Sequence, residues 1–138
     1  MTTNTAATTT REVVTRFFDG LAAGDAESMA ALCADDADWY IPGNELLAPW
    51  VGRRSGRDQY ADMYAALFAA IEPLWAEIEH TFVDGEHAVV TGAFASRMRA
   101  TGKVFESPFS AHMLVRQGLI VRYRLLEDSF GLVESLTP

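Results

Sequence analysis

The sequence predicts an α+β domain: a cone-shaped, curved antiparallel sheet with three N-terminal helices enclosing an apolar pocket. Three observations carry this reading. Apolar residues recur at helical spacing through the first half of the chain, and strand-like runs separated by Gly-containing turns fill the second half. No linker or internal repeat lies between the two halves. Helices first and an antiparallel meander second is the order of an α+β domain, not of alternating βαβ units. With 138 residues the chain can build one core and is short for two, so one domain over residues 11–138 is expected.

The elements follow in order. Residues 1–10, rich in Thr and Ala, lack the basic start and apolar run of a signal peptide and read as a flexible tail. Val13, Val14, Phe17, Phe18 and Leu21 share a helical face that Gly24-Asp25 ends. Asp25 stands where an N-cap would start a second helix, with Met29, Leu32 and Cys33 on its inner side. Asp38-Trp39-Tyr40-Ile41 reads as a short strand stopped by Pro42-Gly43. Asn44 to Arg54 is a loop whose Leu46, Leu47, Trp50 and Val51 either form a lid or pack on the body. Gly56-Arg57-Asp58 opens a third helix to about Ala70, with an apolar stripe from Tyr60 through Tyr64 and Phe68. Strands follow over 74–83, 88–99, 104–115 and 119–127, with turns at Asp84-Gly85, Thr101-Gly102 and Gln117-Gly118.

Composition excludes several function classes. The net charge is −8 and the pI about 4.7. Lys103 is the only lysine, and the arginines are scattered. A nucleic-acid partner needs a clustered basic face to displace phosphate counterions, so none is expected. No apolar run approaches the ~20 residues of a membrane span, and a cytoplasmic setting is expected. Cys33 is the only cysteine; it sits in an apolar stretch and reads as a buried, inert thiol. The three histidines are far apart in sequence, and no phosphate-binding Gly loop follows a strand. Neither a metal nor a cofactor is expected.

The run from Val13 through Gly24-Asp25 to Asp35-Asp36-Ala37 resembles the opening of the ketosteroid isomerases, ungapped as far as Pro42-Gly43. Arg54-Ser55-Gly56 resembles the next segment of that family. Gly118-Leu119-Ile120-Val121-Arg122-Tyr123-Arg124 is similar to the last strand of limonene-epoxide hydrolases and SnoaL-like polyketide cyclases. The resemblance implies the nuclear transport factor 2-like cone fold and a homodimer formed through the outer sheet face. It also locates the family's polar machinery. The isomerase base falls on Ile41, its tyrosine on Phe17, and its protonated aspartic acid on Ala111, or on His112 with a register shifted by one. The Asp-Arg-Asp group of the epoxide hydrolases falls on Leu125, Ala93 and Ala95, and the cyclase carboxylate nearest Leu125. Apolar residues stand at all of these but His112, so the family reactions are not expected to run on the family's own residues.

Strand alternation supplies substitutes. With Ala93, Ala95, Ala111 and Leu125 inward, Thr91, Arg97, Ser107, Phe109, Met113, Tyr123 and Glu127 share that side. Phe17, Leu21, Tyr60, Tyr64 and Phe68 join from the helices, and Trp39 or Tyr40 closes the mouth. Such a lining suits a small apolar ligand. Four residues are the catalytic candidates. His112 is the natural acid/base at neutral pH, provided a bulge or slipped register brings it inward. Glu127 has inward parity, where burial would raise its pKa; the alternative is a rim carboxylate or a helix cap before Ser129. Asp38 and Tyr40 share one face of the first strand, unless Asp38 belongs to a solvated turn with Asp35 and Asp36. His80 reads as a core histidine beside Ile78 and Phe82, and His87 as a turn residue. The chemistry expected is cofactor-free isomerisation, cyclisation, dehydration or hydrolysis of a polyketide, terpenoid or steroid-like substrate. The alternative is a non-catalytic ligand-binding or dimerisation domain.

Overall fold

The computed structural model describes residues 5–138. Two helices, α1 (Thr5–Ala23) and α2 (Ala26–Ala31), lead into strands β1 (Cys33–Ile41) and β2 (Gly52–Arg54). Helix α3 (Arg57–Ala70) is followed by the long strands β3 (Ile71–Asp84), β4 (His87–Met98), β5 (Val104–Arg116) and β6 (Leu119–Glu127). A fourth helix, α4 (Ser129–Leu136), closes the chain.

Local chemistry accounts for most of these boundaries. Asp25 caps α2, accepting the Ser28 backbone N–H at 3.1 Å. Gln117 (φ 52°) and Gly118 (φ 78°) are both left-handed, the pairing a tight hairpin turn needs to match strand twist. Asp128 caps α4 by accepting the Gly131 N–H at 3.0 Å, and Thr101 Oγ1 donates to Ser135 O at the other end of that helix. The three-helix expectation therefore lacked α4, whose eight residues are too few for a persistent apolar stripe.

Three other expectations are corrected. Residues 5–10 of the expected tail belong to α1, because Thr10 is buried and its hydroxyl reaches Ala6 O at 2.7 Å and Gly85 O at 2.8 Å. The rest of that tail, residues 1–4, lies outside the described residues. The first strand begins at Cys33, not Asp38, since it pairs along β6 with a bulge between. The segment 44–54 contains β2, and its Ala48, Trp50 and Val51 are buried against the body while Leu46 and Leu47 are exposed.

The six strands form one sheet in the order β2-β1-β6-β5-β4-β3, antiparallel throughout except for the parallel β1–β6 pair. Bulges at Pro73/Trp75, Ile78/His80 and Leu114/Val115 bend the strands, so the sheet curves without closing. Helices α1 and α3 supply Phe17, Tyr60 and Tyr64 to the core on the concave side. No described helix is long and apolar enough to cross a membrane.

Pairing fixes which side chains share a face. Val90 opposes Ala111 and Gly92 opposes Phe109, while Ala111 opposes Leu125 and Met113 opposes Tyr123. Ser107, Phe109, Ala111, Met113, Tyr123, Leu125 and Glu127 thus lie on the concave face, as alternation predicted. Strand β4 has the opposite parity to the expectation. Its Ala88, Val90, Gly92 and Phe94 face inward, and Thr91, Ala93 and Ala95 pair with Ser110, Pro108 and Glu106 on the convex face.

Candidate active site

The floor of the concave side is a cluster of buried aromatic rings. Trp39 stacks on Tyr123 at 4.0 Å between ring centroids and on Tyr60 at 5.1 Å, and meets Tyr64 at right angles at 5.9 Å. Phe17 packs 5.3 Å from Tyr123 and 6.0 Å from Tyr64. Strand parity on β1 and β6 and the helical spacing of Phe17, Tyr60 and Tyr64 aim all five rings at one another. Towards the rim the lining becomes half-buried: Phe18, Phe68, Phe94, Phe109 and Leu125 pack on the floor but keep solvent-exposed edges. Phe18 and Phe109 stack at 6.2 Å, and Phe94 sits 6.1 Å from Phe109.

Polar groups within this apolar setting are few. Tyr60 donates its hydroxyl proton to Ala37 O at 2.9 Å, which tethers α3 to β1. The Tyr64 and Tyr123 phenols act on one another, and burial pushes both above their ordinary range. The Trp39 Nε1–H is buried with no partner; a buried donor in that state costs about 1–3 kcal/mol.

Among the described residues Glu127 is the one carboxyl that strand pairing puts on this face of β3 to β6. It ends β6 opposite Phe109, half-buried. Burial, aided by the neighbouring Asp128 charge, raises its pKa to about 7. Its charge also reaches Tyr64 and Tyr123, raising both. The backbone beside it is fixed by buried Ser107, whose Oγ accepts the Asp128 N–H at 2.9 Å and donates to Pro108 O at 2.6 Å. A carboxyl poised near neutrality can both accept and return a proton in one turnover.

The other catalytic candidates lie elsewhere. His112 points to the convex face, because Ala111 and Met113 take the inside and no bulge interrupts the pairing from Phe109 to Leu114. Its Nε2 lies 2.8 Å from Ser110 Oγ. Asp38 and Tyr40 do share a face, but it is the convex one, since Trp39 and Ile41 are buried inside. Arg124 bridges to the exposed Asp38 carboxylate at 2.7 Å and Arg53 approaches it at 3.5 Å. The Arg124 hydrogen bond holds the Asp38 carboxyl below its ordinary range. The Arg53 guanidinium lies 4.5 Å over the Tyr40 ring. His80 is exposed and stacks on Phe82 at 5.4 Å rather than sitting in the core. His87 is exposed beside the β3–β4 turn.

The nine residues expected to line a ligand site divide by depth. Phe17, Trp39, Tyr60, Tyr64, Met113 and Tyr123 are buried in the floor, whereas Phe68, Phe109 and Leu125 are half-buried above it. Trp39 is thus part of the floor, not the mouth. Phe18 and Phe94 belong to the same wall and were not expected there. Phe18 was legible from the helical stripe of α1, and Phe94 was hidden by the inverted parity of β4. Among the described residues, no three His, Cys, Asp or Glu gather to hold a metal ion. Cys33 is buried, with burial pushing its thiol up to about 12.

A family model described as the SnoaL-like domain matches residues 14–123. No curated protein matches the chain. Solved structures do. An NTF2-like protein from Burkholderia xenovorans LB400 has a TM-score of 0.84 at 24% identity, covering 95% of this chain and 98% of its own. TerC, co-crystallised with polyporic acid, has a TM-score of 0.79 at 16% identity, covering 93% and 98%. A candidate polyketide cyclase from Pseudomonas putida KT2440 has a TM-score of 0.76 at 19% identity, covering 93% and 98%. At these identities the likeness speaks to the fold alone.

Proposed function

The chain belongs to the SnoaL-like domain family, and on that premise we propose that it is a cofactor-free acid/base enzyme acting on a small apolar substrate. The carrying observation is Glu127: a half-buried carboxyl on the concave face, raised to about 7, whose charge reaches the Tyr64 and Tyr123 phenols. Glu127 takes a proton from a carbon or hydroxyl of the bound substrate and returns it at a second position. The Tyr64–Tyr123 pair donates towards the oxygen on which charge develops. Isomerisation, cyclisation, dehydration and hydrolysis are all compatible with such a step. The aromatic wall from Phe18 to Phe109 favours a flat polyketide, terpenoid or steroid-like skeleton. Relatives in fold that include a candidate polyketide cyclase and a protein crystallised with polyporic acid support a small-molecule role.

Solvent exchange tests this reading without a known substrate. A panel of polyketide-, terpenoid- and steroid-type ketones is incubated with the protein in D2O and followed by proton NMR. Deuterium should enter at carbon beside the carbonyl with the wild type and with His112→Ala, and should not with Glu127→Gln. Exchange at the wild-type rate by Glu127→Gln, or none with any ketone, would overturn it.

A homodimer is proposed as the working form. Trp75, Phe82, Val104 and Leu126 are 44–58% exposed on the convex face of the sheet, apolar surface that a second copy would cover. A cytoplasmic setting fits a chain whose one thiol is buried and unpaired.

A further inference from the structure

The floor of the concave side holds one buried side-chain donor left without an acceptor among the described residues. Tyr60 has its acceptor in Ala37 O. The Tyr64 and Tyr123 phenols are buried and act on one another. Trp39 Nε1–H, a donor only, has no acceptor among the described residues. The Trp39 ring is stacked on Tyr123 at 4.0 Å, 17° from parallel, and meets the Tyr64 ring at 5.9 Å. Ser107, the buried hydroxyl below Glu127, already accepts from Asp128 N and donates to Pro108 O. Glu127 stands higher, beside half-buried Phe109. Native interiors rarely leave such donors idle, and idle ones in a binding region point to a ligand acceptor.

We infer that Trp39 is a ligand-binding residue: its indole N–H, together with the Tyr64–Tyr123 pair, receives the carbonyl or enolate oxygen of a flat ketone. This deepens the proposed function and rests on its reading of the concave side as a substrate site. The substrate enters oxygen first, with its apolar skeleton against Phe18 and Phe109. An alcohol end matches less well, because it brings another donor to a floor already in surplus. Trp39 acts as a specificity-determining donor, while proton transfer stays with Glu127.

Two probes of one shape isolate the oxygen: 2-acetylnaphthalene, and 2-isopropenylnaphthalene, in which the carbonyl oxygen is replaced by CH2. The ketone should bind the wild type about tenfold more tightly than the alkene. It should also move the Trp39 indole N–H resonance downfield; that resonance is the one of three tryptophan signals missing from Trp39→Phe. Trp39→Phe should bind both probes with the alkene's affinity. If that variant folds poorly, the wild-type indole shift remains decisive, the Trp39 signal then being assigned by elimination from Trp50→Phe and Trp75→Phe. Equal affinities in the wild type, an indole signal indifferent to the ketone, a ketone preference that persists in Trp39→Phe, or no binding of either probe would overturn the inference. Glu127→Gln should keep the ketone preference. If exchange in D2O fails while that preference holds, the acid/base reading falls alone; if exchange persists without the preference, this inference falls alone.

Discussion

Trp39 and Tyr123 stack face to face, their ring centroids 4.0 Å apart and their planes 17° from parallel. They are also direct partners across the parallel β1–β6 pair, which joins the first strand of the chain to the last. A local strand pairing and the aromatic floor are therefore one feature. Aromatic pairs of this kind add about 0.5–1.5 kcal/mol beyond the area they bury. The stack also holds in place the Tyr123 ring, whose phenol feels both Tyr64 and the charge of Glu127.

The phenol pair should behave as a coupled unit. Tyr64→Phe leaves the Tyr123 hydroxyl buried without its partner, and Tyr123→Phe does the converse. Each should cost about 1–3 kcal/mol of stability. The double variant removes both polar groups and should be less destabilised than the sum, by roughly 1 kcal/mol. Urea denaturation of the four proteins measures the cycle. Strict additivity would mean that the two hydroxyls do not interact.

Glu127 gives stability a definite pH dependence. An ordinary glutamate releases its proton near 4.5, whereas the folded protein holds this one to about 7. Between those values the folded state binds more protons, so this residue's contribution to stability falls as pH rises and stays low above 7. The loss should be on the order of 2 kcal/mol, allowing for the partial exposure of the group. Denaturation at pH 5 and pH 8 should show a drop in the wild type that is smaller by this amount in Glu127→Gln. An unchanged drop would place the titrating group elsewhere.

The sequence made some of this geometry legible and hid the rest for identifiable reasons. Strand β5 could be read because Ser110 and His112 alternate with Phe109, Ala111 and Met113, which leaves one apolar side. Strand β4 could not. Its Val89-Val90 and Ala93-Phe94-Ala95 are apolar at consecutive positions, and only the pairing of Val90 with Ala111 chooses the inner set. Asp38 and Tyr40 were correctly placed on one face, but alternation does not say which face is inside. Trp39 decides that, because burying an indole outweighs burying a carboxylate. The inward parity of Glu127 follows from Leu125, yet its burial depends on Phe109 across the sheet, which spacing along β6 does not report.

The convex-face polar group should be dispensable for chemistry. Asp38 is more than half exposed, and its pairs with Arg124 and Arg53 are of the surface kind. Asp38→Asn and His112→Ala should each change stability by less than about 1 kcal/mol and leave turnover intact. Arg124→Ala should cost more, about 1–3 kcal/mol, since Arg124 also donates to the Asp38 and Tyr123 carbonyls at 2.8 Å and ties β1 to β6. Exchange rates and melting temperatures of the three variants check this ordering. Loss of exchange in Asp38→Asn or His112→Ala would return the chemistry to the convex face.

Gly92 should tolerate no side chain at all. It lies on the concave face of β4 opposite Phe109, beside the β3 bulge between Ile78 and His80. A Cβ built there would stand 2.0 Å from the Glu77 carbonyl oxygen and 2.8 Å from the Phe109 ring. Neither neighbour can yield cheaply, because one is backbone in a paired strand and the other is held by Phe18 and Phe94. Gly92→Ala should therefore destabilise the fold by about 2–3 kcal/mol, the upper range for overpacking. It should also displace the Phe109 ring from the wall facing Glu127. Pairing it with Phe109→Ala relieves one of the two clashes, so that combination should lose less stability than the two single changes summed. If the losses simply add, the constraint at Gly92 comes from the Glu77 carbonyl alone, and Phe109 owes nothing of its position to the glycine.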